Sequence, residues 1–129
     1  RVSATEWVPD GVTVEDTITV LQSLSGIDLV SVSSGGNDPR QQIPAGPGYQ
    51  QPLSRAVRAA ISVPVGVAGM FTTPEHAESA IVAGDTDVIY VARQFLREPH
   101  FALRAAAALG GSLEWPWQYN RAKYLDSIP

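Results

Sequence analysis

Val63-Pro64-Val65-Gly66-Val67-Ala68 runs straight into Gly69-Met70, and this short valine-rich run closed by a turn former reads as a strand buried on both faces. On its amino-terminal side, Leu53, Val57, Ala60 and Ile61 recur at helical spacing from Pro52 onward. On the other side, Thr73-Pro74-Glu75 sets a capping threonine before a first-turn proline and opens a helix expected to end at Gly84. Asp87 then introduces a second apolar run, Val88-Ile89-Tyr90-Val91-Ala92. The same cycle lies upstream. Thr13 caps a helix with Glu15 and Asp16 in its positive first turn, and Val14, Ile18, Leu21 and Leu24 make its apolar stripe. Gly26 stops that helix before the strand Ile27-Asp28-Leu29-Val30-Ser31-Val32-Ser33. After the last strand, residues 93–98 form a short helix, and Pro99 opens a longer one through Leu109, stopped by Gly110-Gly111.

Helix-strand units of this kind predict an α/β fold, a parallel sheet covered by helices. Two architectures fit: a small doubly wound domain, or part of an eight-stranded (β/α)8 TIM barrel, whose full length is typically about 250 residues. Arg1-Val2-Ser3-Ala4 reads as the end of a further strand, and no initiator methionine precedes it. The four strands would then be the last four of eight. Residues 1–129 are thus expected to be the C-terminal half of one barrel domain whose N-terminal half is absent.

With 129 residues, 44% hydrophobic and 17% charged, the chain has the composition of an ordinary globular domain. Thirteen acidic against nine basic side chains give a net charge of -4, and Lys123 is the single lysine. Arginines scattered along the sequence make no basic stripe, which argues against nucleic acid and anionic lipid as partners. No window approaches the roughly 18–20 apolar residues of a membrane span, and the start has no signal-peptide pattern, so the cytoplasm is the default expectation. Without cysteine there are no disulfides, thiolate metal sites or thiol nucleophiles in this stretch.

In a barrel the chemistry lies at the carboxyl ends of the strands. Those positions are Arg1 and Ser3, the stretch from Ser33 to Asn37, Ala68 to Met70, and Ala92 to Gln94. Gly66 and Gly69 allow a ligand close to the backbone, and Arg93 stands where the last strand meets the short helix, an arrangement suited to a phosphate. The same residues also fit a plainer account, with both glycines in structural turns and Arg93 a surface charge. The polar stretch from Ser34 to Gly48, with Pro39, Pro44 and Pro47, is too long for a simple connection and marks a functional loop. Ser33-Ser34-Gly35-Gly36 has the look of a nucleophile loop, but neither His76 nor His100 falls at a strand end to serve it. Both histidines sit at helix starts and neither completes a metal-ligand spacing, so no metal is expected. The aromatic run Trp115-Pro116-Trp117-Gln118-Tyr119 reads as an anchor for packing or subunit contact.

Several segments taken in order carry a resemblance. They are Arg1-Val2-Ser3, Val32-Ser33-Ser34-Gly35, Pro47-Gly48-Tyr49-Gln50, Val67-Ala68-Gly69-Met70, Asp87-Val88-Ile89-Tyr90-Val91-Ala92-Arg93, Phe95-Leu96-Arg97-Glu98-Pro99 and Trp117-Gln118-Tyr119-Asn120-Arg121. Together they resemble the C-terminal part of the old yellow enzyme family, in particular its thermophilic-like bacterial branch of NADPH dehydrogenases and ene-reductases. The likeness runs from Arg1 to about Lys123 and rests on order and spacing together. It implies an FMN-binding (β/α)8 barrel that passes hydride from NADPH or NADH through the flavin to a small activated alkene.

By that resemblance Arg1 meets the pyrimidine edge of the flavin, where a cation stabilises the charge that develops on reduction. Ser34 falls near the ribityl phosphate, and Gly69 with Met70 supplies backbone to it. Ala92 and Arg93 match the pair after the last strand, where the family usually has glycine before arginine. Arg121 resembles an arginine that crosses a subunit interface into the neighbouring substrate site, with Trp115 and Trp117 holding the tail. A homo-oligomer, or assembly with the missing N-terminal half, is the expected state. No catalytic acid or base is assigned, because the family's substrate anchors and proton donor belong to the earlier part of the barrel. Two other accounts stay open: a different phosphate-binding barrel enzyme, which gives no reason for Arg1 or Arg121, and a noncatalytic truncated module.

Overall fold

The computed structural model describes residues 1–122, so Lys123 lies outside the described residues. Strands β1 (Val2–Ser3), β2 (Val30–Ser33), β3 (Val65–Val67) and β4 (Val88–Ile89) form one sheet in the order β1-β2-β3-β4. All pairings are parallel, with Val2 opposite Val32, Val32 opposite Val67 and Val67 opposite Ile89. Helices α1 (Val14–Ser23), α2 (Gln51–Ala60) and α3 (Pro74–Val82) connect the strands. Two more, α4 (Arg93–Arg97) and α5 (Phe101–Ala108), follow β4, and a 3-10 segment (Trp117–Ala122) comes last. Among the described residues no helix is long and apolar enough to cross a membrane.

Strand order equals chain order, so these four strands contain no reversal of the kind a doubly wound sheet requires. Crossovers of the usual right hand then carry α1, α2 and α3 over the same face. The core lies on that face: Val30, Val32, Val65 and Val67 pack with Leu21, Val57, Phe71 and Ala80. On the opposite face the strands present Ser3, Ser31, Ser33 and Val88, all at least partly accessible, together with the buried Gly66. The outer edges of β1 and β4 pair with no strand among the described residues.

The helix starts follow from their caps. Thr13 Oγ1 accepts from the Asp16 amide at 3.2 Å and Asp16 Oδ2 accepts from the Thr13 amide at 3.0 Å, a reciprocal capping box. The Thr13 hydroxyl, which donates to Asp16 Oδ2 at 2.7 Å, and then the Thr13 amide hold the Asp16 carboxyl below the usual carboxylate range. Thr73 caps α3 by a single bond, its Oγ1 accepting from the His76 amide at 3.2 Å, with Pro74 in the first turn.

Several boundaries differ from the sequence expectation. The strand expected from residue 27 starts at Val30, and the one expected from residue 63 starts at Val65, since Pro64 has no N–H for a ladder. Residues 90–92 leave the β4 ladder after the Tyr90 amide has bonded the Val67 carbonyl at 2.8 Å. Leu24 is not on the buried stripe of α1: the helix ends at Ser23, so Leu24 turns out and is 53% exposed. Thr17 takes the inward place and donates to the Ala4 carbonyl at 3.3 Å. Pro99 precedes α5 by two residues, and His100 is its cap.

Candidate functional site

At the carboxyl ends of the strands lies a cavity of about 190 Å³. Ser33 comes from the β2 end, Ala68, Gly69 and Met70 from the β3 end, and residues 90–94 with Arg97 from beyond β4; Arg1, expected at a carboxyl strand end, instead precedes β1 and reaches the cavity through its long side chain. Arg1 Nη2 donates to Ser33 Oγ at 2.9 Å, which ties the first cation to the end of β2. Arg93 and Arg97, both exposed, open and close the short helix α4. Three arginines thus line the space, and among the described residues no aspartate or glutamate does. Such a lining favours an anion.

The backbone contributes as well. Gly69 has φ +147°, and a Cβ there would stand 3.3 Å from the Gln50 amide nitrogen, so only glycine fits without strain. Met70 follows at φ +59°, a left-handed conformation rare for a residue with a side chain. The Ala68 carbonyl accepts from Gln50 Nε2 at 2.8 Å and the Gly69 carbonyl accepts from the Gly48 amide at 2.7 Å. In a trans peptide the next N–H points the opposite way. The Gly69 and Met70 amides therefore turn away from these partners, and neither has an acceptor among the described residues.

The floor of the site is braced from below. Asp85 is 2% exposed and sits just before β4. It accepts from Arg55 Nε at 2.5 Å, Arg55 Nη2 at 2.8 Å and Gln51 Nε2 at 2.7 Å. The Arg55 hydrogen bonds hold its carboxyl below the usual range against the opposing effect of burial. Ser54 Oγ donates to the Asp85 carbonyl at 2.9 Å, and Arg58 pairs with Asp87 at 2.9 Å. Helix α2 is thereby clamped to the entry of β4, which fixes where Ala92 and Arg93 emerge.

The structure brings Arg1, Gly69, Met70, Ala92 and Arg93 to one cavity. Ser34 does not line it: this residue is buried, and its Oγ donates to Gln50 Oε1 at 2.6 Å. Arg121 is exposed on the 3-10 segment and is not among the lining residues. Gly66 does not offer open backbone to a ligand, because the Tyr90 ring occupies its vacant side; an added Cβ would meet Tyr90 Cε2 at 2.5 Å. Of the aromatic run, Trp115 is half-buried, whereas Trp117 is 78% and Tyr119 55% exposed, with the Tyr119 ring 6.1 Å from that of His100. Sequence reasoning missed Gln50, Tyr90 and Arg97. The segments that carry the resemblance contain all three, but nothing in their spacing marks a buried glutamine that bridges two loops.

The fold and site together are those of a parallel α/β sheet with an arginine-lined cavity at its carboxyl edge. Residues 1–110 match the NADH:flavin oxidoreductase / NADH oxidase family, and the chain belongs to it. This agrees with the resemblance to old yellow enzymes. The chain is 37% identical over 123 residues to an NADPH dehydrogenase of Geobacillus thermodenitrificans, an overlap covering 94% of this chain and 36% of that protein. It is 39% identical over 124 residues to an NADPH dehydrogenase of Halalkalibacterium halodurans, covering 95% of this chain and 36% of the relative. The chain thus spans 36% of the length of these relatives. Arg121 lies beyond the residues matched to the family.

Proposed function

We propose that this chain is the phosphate-holding part of an FMN-dependent NAD(P)H oxidoreductase that reduces small activated alkenes, built in full as a (β/α)8 barrel. The observation that carries this is the cavity with Arg1, Arg93 and Arg97 on its walls, where among the described residues no acid lines the space and the two amides on its rim have no acceptor. At about 190 Å³ it accommodates a phosphate with part of its ribityl chain and not a three-ring system, being below the roughly 300 Å³ at which cofactor pockets begin. The residues present fit that end of FMN. Bound flavin supplies two-electron hydride chemistry between a nicotinamide donor and an acceptor.

The protein's share of the work is positioning and charge. Arg93 and the Gly69 and Met70 amides hold the phosphate, and Arg1, fixed by Ser33, stands ready as a cation for the flavin ring edge. The sequential strand order supports barrel closure, with the free edges of β1 and β4 paired by strands of the whole protein. Arg121 and the exposed Trp117 and Tyr119 support a homo-oligomer in which the tail reaches a neighbouring substrate site.

The test is anaerobic titration of the full-length purified protein. Bound flavin should bleach on adding NADPH or NADH and regain its colour on adding a cyclic enone. Bound flavin that a nicotinamide donor cannot reduce would overturn the assignment; reduction without reoxidation by the enone would overturn the alkene alone.

A further inference from the structure

We propose that Gln50 is a positioning residue for the phosphate of the flavin; the inference rests on the FMN reading above and extends it to a buried residue of the cavity lining that holds the phosphate loop in place. Gln50 is the N-cap of α2, but its side chain makes no capping bond. It is instead 2% exposed, with both ends of its amide engaged. Oε1 accepts from Ser34 at 2.6 Å, after β2, and Nε2 donates to the Ala68 carbonyl at 2.8 Å, after β3. One buried amide thus joins two strand ends to the start of a helix.

The bond to Ala68 has a directional consequence. By holding that carbonyl it fixes the peptide plane between Ala68 and Gly69, and so turns the Gly69 N–H away from Gln50. The neighbouring Gly48 amide does the same for the next plane through the Gly69 carbonyl, at 2.7 Å. Two successive donors are presented as a preformed nest for an anion. Met70 at φ +59° costs free energy to hold, and a strained conformation persists where its surroundings over-determine it. The close approach of Gly69 to the Gln50 backbone supplies part of that restraint. With its Oε1 and one Nε2 hydrogen spent on Ser34 and Ala68, Gln50 acts through the loop that these bonds hold.

The experiment compares FMN with riboflavin, which lacks the phosphate, as ligands of the full-length apoprotein, followed by quenching of flavin fluorescence. Gln50→Met keeps the length and loses both hydrogen bonds. It should raise the Kd for FMN roughly tenfold, about one hydrogen bond's worth, and leave that for riboflavin within about twofold. Ser34→Ala frees only Oε1 and should give a smaller loss, roughly threefold, with the same selectivity for FMN. If Gln50→Met does not fold, Ser34→Ala decides alone. An unchanged Kd for FMN, or equal weakening of both flavins, overturns the role of Gln50. Wild-type protein that binds FMN no better than riboflavin overturns the phosphate reading itself, before any variant is compared.

Discussion

Gly66→Ala is the sharpest perturbation of the packing behind the site. Gly66 lies in the middle of β3 with Ser31 and Val88 beside it, and its φ is outside the left-handed region, so the backbone itself accepts alanine. Relief of glycine's unfolded-state entropy should then stabilise the chain by about 0.4–1 kcal/mol. Against this, the new Cβ stands 2.5 Å from Tyr90 Cε2, 2.8 Å from Cζ and 2.9 Å from Oη. The ring must move by about 1 Å, an overpacking cost of about 1–3 kcal/mol. The net expectation is destabilisation by about 0–2.6 kcal/mol, centred near 1.3 kcal/mol. Urea unfolding of four proteins checks it: wild type, Gly66→Ala, Tyr90→Ala and the double variant. With the ring removed, the glycine substitution should change sign and stabilise the protein by about 0.4–1 kcal/mol. An equal effect of Gly66→Ala with and without the Tyr90 ring would refute the steric argument.

Three further outcomes follow from the same structure. Arg93→Ala should weaken FMN binding by roughly tenfold or more while sparing riboflavin, measured by fluorescence titration of the apoprotein. Arg55→Met should lower the urea midpoint at neutral pH, because Asp85 is held ionised chiefly by the Arg55 hydrogen bonds. A carboxyl with a depressed folded pKa contributes stability above its unfolded value near 3.9 and loses it as pH falls through the lower folded value. The difference between wild type and Arg55→Met should therefore shrink toward zero below about pH 4, and a constant difference from pH 7 to pH 3 would contradict the ion pair. Thr13→Ala should cost about 1 kcal/mol by removing the cap of α1, read as a lower thermal midpoint with no change in flavin affinity.

Much of the fold was legible because local rules and tertiary demands agree here. Thr13 and Thr73 announce their helices with side-chain oxygens, and Val65, Gly66 and Val67 form a strand all of whose residues are buried. The α/β class follows from that alternation. Boundaries were less legible, since a short strand ends where its partner ends: β4 keeps two residues because β3 offers it only Gly66 and Val67. Of the candidate site, Gly69, Met70, Ala92 and Arg93 were identifiable from strand-end position and resemblance and Arg1 from resemblance, and one cavity contains them. Ser34 was identifiable as a loop residue but not as the partner of Gln50, since the two are 16 positions apart and meet only when β2 and α2 pack.

The sequence by itself determined the alternation of helices and strands, the helices that begin at Thr13 and Thr73, and the turn into Gly69-Met70 after β3; these depend on neighbours within a few residues. Only the tertiary structure decided that four strands run in chain order, that Tyr90 fills the vacant side of Gly66, and that Gln50 ties Ser34 to Ala68. Side chains distant in sequence have no local signature of meeting. Their contacts are set by how the helices cover the sheet, which is a property of the packed chain and of no single segment.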